Sequence, residues 1–228
     1  RDPNTFIDSR LGLKSWSDYV KHFGLGSNLN IDMPIVNTGF VPSYEYYDNY
    51  YGKNRWKFSN VYSLSIGQGE LLVTPLQMAN VASIIANRGH YYDPKIVIEI
   101  NNEKLNNSEI NVLDINKEHF NYVVNAMEEV VISGSGRRGY LKELKLCGKT
   151  STVQNPHGYD HSGFIGFAPK ENPQIAIATY IENAGWGARA ATSISSLAAE
   201  YYLFKKIKRS WLEEYVLIGD FIDEEDYQ

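Results

Sequence analysis

Residues 149–152 read Lys-Thr-Ser-Thr, inside the longer run "CGKTSTVQNPHGYDHSGFIGFAP" at 147–169. If residues 149–152 form a strand, Thr150 and Thr152 share one face and Lys149 and Ser151 the other, because side chains alternate. Two hydroxyls on one face make a fork that donates to a carboxylate or carbonyl oxygen. On an edge strand the outward main-chain N–H groups are also free. An extended acyl substrate then docks as an added strand, with one amide aimed at a developing oxyanion. Lys149 brings positive charge and a donor for a catalytic hydroxyl. The four residues alone also fit an ordinary edge strand guarded by a lysine.

Three runs could supply the sheet: 144–153, 162–169 and 174–183. The short link "KENP" joins the last two as a hairpin. The expected arrangement places 145–153 at a sheet edge, antiparallel to 162–168, which pairs in turn with 174–182. Two strong helical patterns precede the sheet. In "TPLQMANVASIIANRG" (74–89), Thr74, Pro75 and Gln77 make a capping box at the start of a helix that is apolar nearly all round. "NKEHFNYVVNAMEEVVISGSG" (116–136) is the second, closed by a Gly/Ser run. "WSDYVKHFGLG" (16–26) reads as a short helix stopped by glycine. "TSISSLAAEYYLFKKI" (192–207) reads as a helix that packs on the sheet. Residues 91–100 read as a strand, 27–58 as a long aromatic-weighted surface excursion, and 209–228 as an acidic tail frayed at its end. The order is that of an α+β fold, an antiparallel sheet with packed helices.

Bulk properties narrow the function. The formal net charge of −5 argues against a general nucleic-acid binder. A single cysteine, Cys147, excludes an internal disulfide and a cysteine-rich zinc site. No apolar run is long enough to span a bilayer. The chain opens on Arg1, which reads as a piece cut from a longer protein, expected as residues 1–208 of a domain plus a 209–228 tail.

Other stretches have bland readings beside sharper ones. His157, Asp160 and His161 fit a structural or cleft-lining loop better than a metal site, since Gly158 breaks any helical i, i+4 geometry. Gly67, Gln68 and Gly69 read as a tight turn, with Gln68 bonding backbone, ahead of a ligand-contacting loop. "SGSG" at 133–136 lacks the Gly-Lys-Ser/Thr of a phosphate loop and reads as a helix end. The tyrosines at 44, 46, 47, 50 and 51 fit loop packing or the binding of a sugar or partner.

The segment "CGKTSTVQNPHGYDHSGFIGFAPKENPQIAIATYIENAGWGA" resembles the third active-site motif and following hairpin of class B penicillin-binding proteins, whose motif is Lys-Thr-Gly-Thr followed by Ala-Gln. "SLSIGQGELLVTPLQMANVASIIANRG" resembles the family's Gly-Gln-Gly segment and its helix, and "LGLKSWSDYVKHFGLG" its entry helix. The similarity runs in family order from about Leu11 to about Leu203, with the flavour of the elongation-type enzyme, penicillin-binding protein two. The resemblance implies the C-terminal part of a transpeptidase domain of the penicillin-binding-protein and β-lactamase kind. It implies peptidoglycan D,D-transpeptidation: a serine attacks the D-Ala-D-Ala bond of a stem peptide and the acyl group passes to an amine. It gives Lys149 charge and proton handling, Thr150 and Thr152 the substrate carboxylate, and the Thr152 N–H the oxyanion. Ser151 and Gln154 line the substrate cleft. No metal or organic cofactor is implied. The implied partners are stem peptides, β-lactams and, for the parent protein, a membrane glycan polymerase. The implied location is extracytoplasmic, with the parent anchored in the inner membrane by a helix outside this chain.

The sequence departs from the family twice. No serine here is followed by Lys at plus three or by Asn at plus two, so neither the nucleophile motif Ser-x-x-Lys nor Ser-x-Asn is present. Both are expected upstream. Ser151 stands where the family has Gly, which admits close approach of backbone and ligand. Two alternatives therefore stay open: a carboxypeptidase or β-lactamase-type hydrolase, and a degenerate penicillin-recognising scaffold, which Ser151 favours.

Overall fold

The computed structural model describes residues 8–105 and 109–221. It divides into two compact units, one within Arg1–Gln77 and Tyr92–Glu109, the other within Met78–Tyr91 and Ile110–Gln228. In the first, α1 (Ser9–His22) starts at Asp8, whose carboxylate accepts from Arg10 N, a full turn and more ahead of the expected 16–26. Gly24, at φ 84°, follows its last turn and donates to Lys21 O, as a glycine beyond a helix end should.

The tyrosine stretch is helical, not an extended excursion. Ser43 caps α2 (Tyr44–Tyr51) by accepting from Tyr46 N. Tyr47 is fully buried with Leu13, Trp56, Val61 and Leu64. Its hydroxyl donates to Glu70 at 2.5 Å, and burial first, then that carboxylate, raises its pKa. Asp48 accepts from Trp56 Nε1 at 2.9 Å and pairs with Arg10. Tyr44, Tyr46 and Tyr47 pack the unit, whereas Tyr50 and Tyr51 are exposed. After α3 (Phe58–Val61) and a 3-10 turn, Gly67 N and Gln68 N bond back to Leu64 O and Ser63 O, a tight turn as expected.

The capping box forms at the head of α4 (Pro75–Ala86). Thr74 N donates to Gln77 Oε1 at 3.0 Å and Gln77 N to Thr74 Oγ1 at 3.2 Å. The buried Gln77 amide also donates to Ser27 O and Thr38 O, so one side chain caps the helix and staples the 27–39 loop. The expected strand at 91–100 is broken. Only β1 (His90–Tyr92) and β2 (Glu99–Ile100) are strand, and β2 pairs with β3 (Glu103–Lys104). Pro94 is the physical reason, since it lacks the N–H a ladder needs. β4 (Ile110–Val112) pairs with β1.

The sheet of the second unit has the order β5-β6-β7, from β5 (Cys147–Val153), β6 (His161–Ala168) and β7 (Ile175–Ile181), all antiparallel. This is the expected hairpin and the expected edge position for 147–153. α5 (Lys117–Ile132), capped by Asn116, contributes Val124 and Met127 to one cluster with Cys147 and Phe167. α6 (Ala190–Phe204) contributes Ala191 and Ala199 to another with Leu146, Phe164 and Ala168. The strand residues sort by parity between the two clusters, which is the pleat dividing one chain between two layers. Burial pushes the Cys147 thiol up to about 12, so it is a packing group rather than a nucleophile.

The C-terminal stretch is not all tail. α7 (Ser210–Ile218) follows α6 and buries Leu212. Glu200 on α6 is fully buried. It accepts from Lys208 N at 2.5 Å and from Arg209 Nε at 2.9 Å, fixing the turn between the two helices. The frayed end expected of the tail, 222–228, lies outside the described residues.

Candidate active site

The site is built on β5. Register pairs Thr150 with Phe164, Ser151 with Gly163 and Thr152 with Ser162. Thr150 and Thr152 therefore share the α6 face, and Lys149 and Ser151 the α5 face. A methyl group on Gly187 would fall 2.1 Å from Ser151 O and 2.5 Å from Gly163 O. These two carbonyls thus lie close together inside the β5–β6 ladder. By antiparallel alternation the N–H and C=O groups of Thr150 and Thr152 point to the outer edge, where no strand lies among the described residues. Thr150 O agrees with this, since it accepts from Lys149 Nζ at 2.6 Å. The edge thus offers the outward amide of Thr152, the Lys149 ammonium and the Thr152 hydroxyl, with Lys149 and Thr152 both exposed.

The two threonines differ. Thr152 is exposed and its Oγ1 accepts from Gly187 N at 3.3 Å, which leaves its hydrogen free to donate. Thr150 is 8% exposed, and its Oγ1 lies 2.7 Å from Ser135 Oγ. Gln154 is exposed, one residue past β5. Neither Ser135 nor Gly187 stood out in the sequence. Ser135 sits in the "SGSG" run read as a helix end, and Gly187 in "AGWGA", where glycine is required because any side chain would strike the sheet backbone. The loop after β5 is braced by its polar side chains. Asn155 Nδ2 donates to Asn183 Oδ1 at 2.9 Å, Asp160 Oδ1 accepts from Asn155 N, and His161 Nδ1 accepts from Asn183 N at 3.0 Å. His157, Asp160 and His161 do not converge as ligands, and no metal-binding cluster occurs among the described residues.

Ser151 needs no displacement of the strand. It points to the face away from the threonine fork, and its Oγ lies 2.1 Å from where a Cβ on Gly163 would sit. The glycine opposite supplies the room that the extra hydroxyl needs. Ser151→Gly in the full-length protein is therefore expected to change penicillin acylation by less than about tenfold, about 1.4 kcal/mol of barrier. A larger rise in stopped-flow acylation rate means that Ser151 obstructs the cleft.

Residues 5–205 match the penicillin binding protein transpeptidase domain. The chain is 29% identical over 222 residues to a protein of Acinetobacter baumannii named peptidoglycan D,D-transpeptidase MrdA, covering 89% of this chain and 33% of that one. It is 28% identical over 225 residues to the Haemophilus influenzae protein of the same name, covering 86% of this chain and 34% of that one. It thus spans about a third of the length of these curated relatives. Among solved structures, PBP2 of Pseudomonas aeruginosa in complex with WCK 5153 superposes with a TM-score of 0.76 at 28% identity, covering 88% of this chain and 45% of that one. The family match, the strand order and the Lys-Thr-Ser-Thr edge agree: the chain belongs to the penicillin-binding protein transpeptidase domain family, and its likeness is to the penicillin-binding protein two branch.

Proposed function

We propose that this chain supplies the substrate-docking edge of a serine peptidoglycan D,D-transpeptidase, with the nucleophile contributed by residues outside it. The observation that carries the reading is the outer edge of β5, which no strand pairs among the described residues. A cation, an outward amide and two hydroxyls on one strand suit an extended peptide that ends in a carboxylate. Thr150 and Thr152 hold that carboxylate, and Ser151 and Gln154 line the cleft. The serine hydroxyl adds to the carbonyl of the D-Ala-D-Ala bond and gives its proton to a base. The Thr152 N–H receives the oxyanion, and the tetrahedral intermediate collapses as that base returns the proton to the departing nitrogen, releasing D-Ala as the amine. Lys149 supplies charge beside the attacking oxygen. An amine of a second stem peptide then takes the acyl group and frees the serine. The relatives named D,D-transpeptidase support this reaction. Stem peptides and β-lactams are the ligands it implies, a glycan polymerase the partner, and the extracytoplasmic face the place. No helix of the described residues is long and apolar enough to cross a membrane.

The test separates chain from parent. The full-length protein is expected to form a stoichiometric adduct with a labelled penicillin and to crosslink stem peptides. The 228-residue chain alone is expected to form none, because it holds no Ser-x-x-Lys. A full adduct on any serine of the isolated chain, seen by intact-mass spectrometry, sinks the placement of the nucleophile. Inert full-length protein sinks the transpeptidase reading in favour of a scaffold.

A further inference from the structure

The Gly-Ser-Gly turn after α5 is held rigidly against the helix that it ends. Gly134 N donates to Glu129 O at 3.0 Å and Gly136 N to Val130 O at 2.9 Å. A Cβ on Gly134 would come within 2.9 Å of Val130 Cα, and one on Gly136 within 3.2 Å of Val130 O, so the turn lies flush on the last helical turn. Between the two glycines, Ser135 reaches β5 and sets its Oγ 2.7 Å from Thr150 Oγ1. The last turn of α5 reaches this same face of β5, where Val131 clusters with Leu146.

A hydroxyl has one hydrogen and two lone pairs. Thr150 can donate to an anion only if its single hydrogen is not already spent on a neighbour. Thr152 meets that condition, because Gly187 N is a donor only and its partner must accept. The Ser135–Thr150 pair permits either direction, and only one of them leaves Thr150 able to donate. Thr150 is 8% exposed, beside Ser135, which is itself exposed.

We propose that Ser135 is a positioning residue of the carboxylate site: its hydroxyl donates to Thr150 Oγ1 and so turns the Thr150 hydrogen toward the substrate carboxylate, as Gly187 N does for Thr152. The inference rests on the transpeptidase reading and adds a residue to that site. Ser135 touches no substrate in this scheme. It acts through Thr150.

The test uses the full-length protein with two probes, benzylpenicillin and its methyl ester, which lacks the anionic carboxylate. Ser135→Ala is expected to lower the second-order acylation rate constant for benzylpenicillin about tenfold, the scale of one hydrogen bond to a charged group. Ser135→Thr, which restores the donor, is expected to return it to within about twofold, a residual the extra methyl accounts for. With the methyl ester, Ser135→Ala is expected to match the unsubstituted protein. Equal loss on both probes, or a lowered Tm that tracks the loss, assigns Ser135 a structural role and overturns the proposal. So does no loss on either. Absence of any penicillin adduct in the unsubstituted protein refutes the transpeptidase reading itself, a result distinct from a silent Ser135 in a protein that acylates normally.

Discussion

Lys149→Met in the full-length protein is expected to slow penicillin acylation by about 100- to 1,000-fold, the range seen when a preorganised electrostatic donor is removed from an acyl-transfer site. The ammonium lies on the outer edge of β5, bonded to Thr150 O at 2.6 Å, with two further N–H bonds to give. It stands on the same strand as the Thr152 amide proposed to receive the oxyanion, so in that scheme its field acts where negative charge develops. Methionine keeps the length and apolar stem and deletes only the charge. Lys149 is exposed and in no ion pair among the described residues, so Tm is expected to stay unchanged, and the loss then belongs to chemistry rather than folding. Lys149→Arg is expected to recover little, because a planar guanidinium neither occupies the space of an ammonium nor gives up a proton. A loss under about tenfold, 1.4 kcal/mol, makes Lys149 no more than a guard on a sheet edge.

The second large effect is on stability. Glu200→Ala is expected to destabilise the chain by about 3–5 kcal/mol, because it strands the Arg209 guanidinium without its counter-charge. Glu200 is fully buried and Arg209 is 5% exposed. Besides the 2.9 Å bond to Glu200, Arg209 has a 3.4 Å contact to Tyr140 O, and its Nη2 is buried with no hydrogen-bond partner. Arg209 is therefore held chiefly by the carboxylate. For a chain of this size the expected fall in Tm is about 10 °C. The double variant Glu200→Leu/Arg209→Met is expected to recover part of it, since an apolar pair of similar volume carries no charge to desolvate, while the Lys208 N–H loses its acceptor. A single-variant loss below about 1 kcal/mol, or a double variant as unstable as the single, refutes the account of a buried pair held by mutual charge.

The parts of the fold that were legible share a feature: their cause is local. Thr74, Pro75 and Gln77 specify a helix start within four residues, and the reciprocal bonds form. Short strand-like runs ending in a hairpin closed by the tight turn after Ala168 specify the antiparallel sheet that forms from 147–153, 161–168 and 175–181. The misreadings have other causes. The 44–51 stretch reads as a loop by its Asn, Asp and Tyr content, yet it folds as a helix because Ser43 caps it and Tyr47 finds Leu13, Trp56 and Leu64. The stretch from 210 reads as an acidic tail, yet Leu212 is buried and α7 forms. In the first, partners distant in sequence override weak local preference; in the second, burial of Leu212 accompanies a helix that the acidic neighbours obscure.

The same division runs through the site. The sequence by itself determined that Lys149 and Ser151 oppose Thr150 and Thr152, because alternation along a strand is a property of the backbone alone. It also determined that no Ser-x-x-Lys nucleophile lies in these 228 residues. Tertiary structure decided what surrounds each group. It placed Gly163 under Ser151, Gly187 N on Thr152 and Ser135 on Thr150, across separations of 12, 35 and 15 residues. Those contacts depend on strand register and on where α5 and α6 end against the sheet. Both are set by packing the whole layer at once, so no short stretch of chain encodes them.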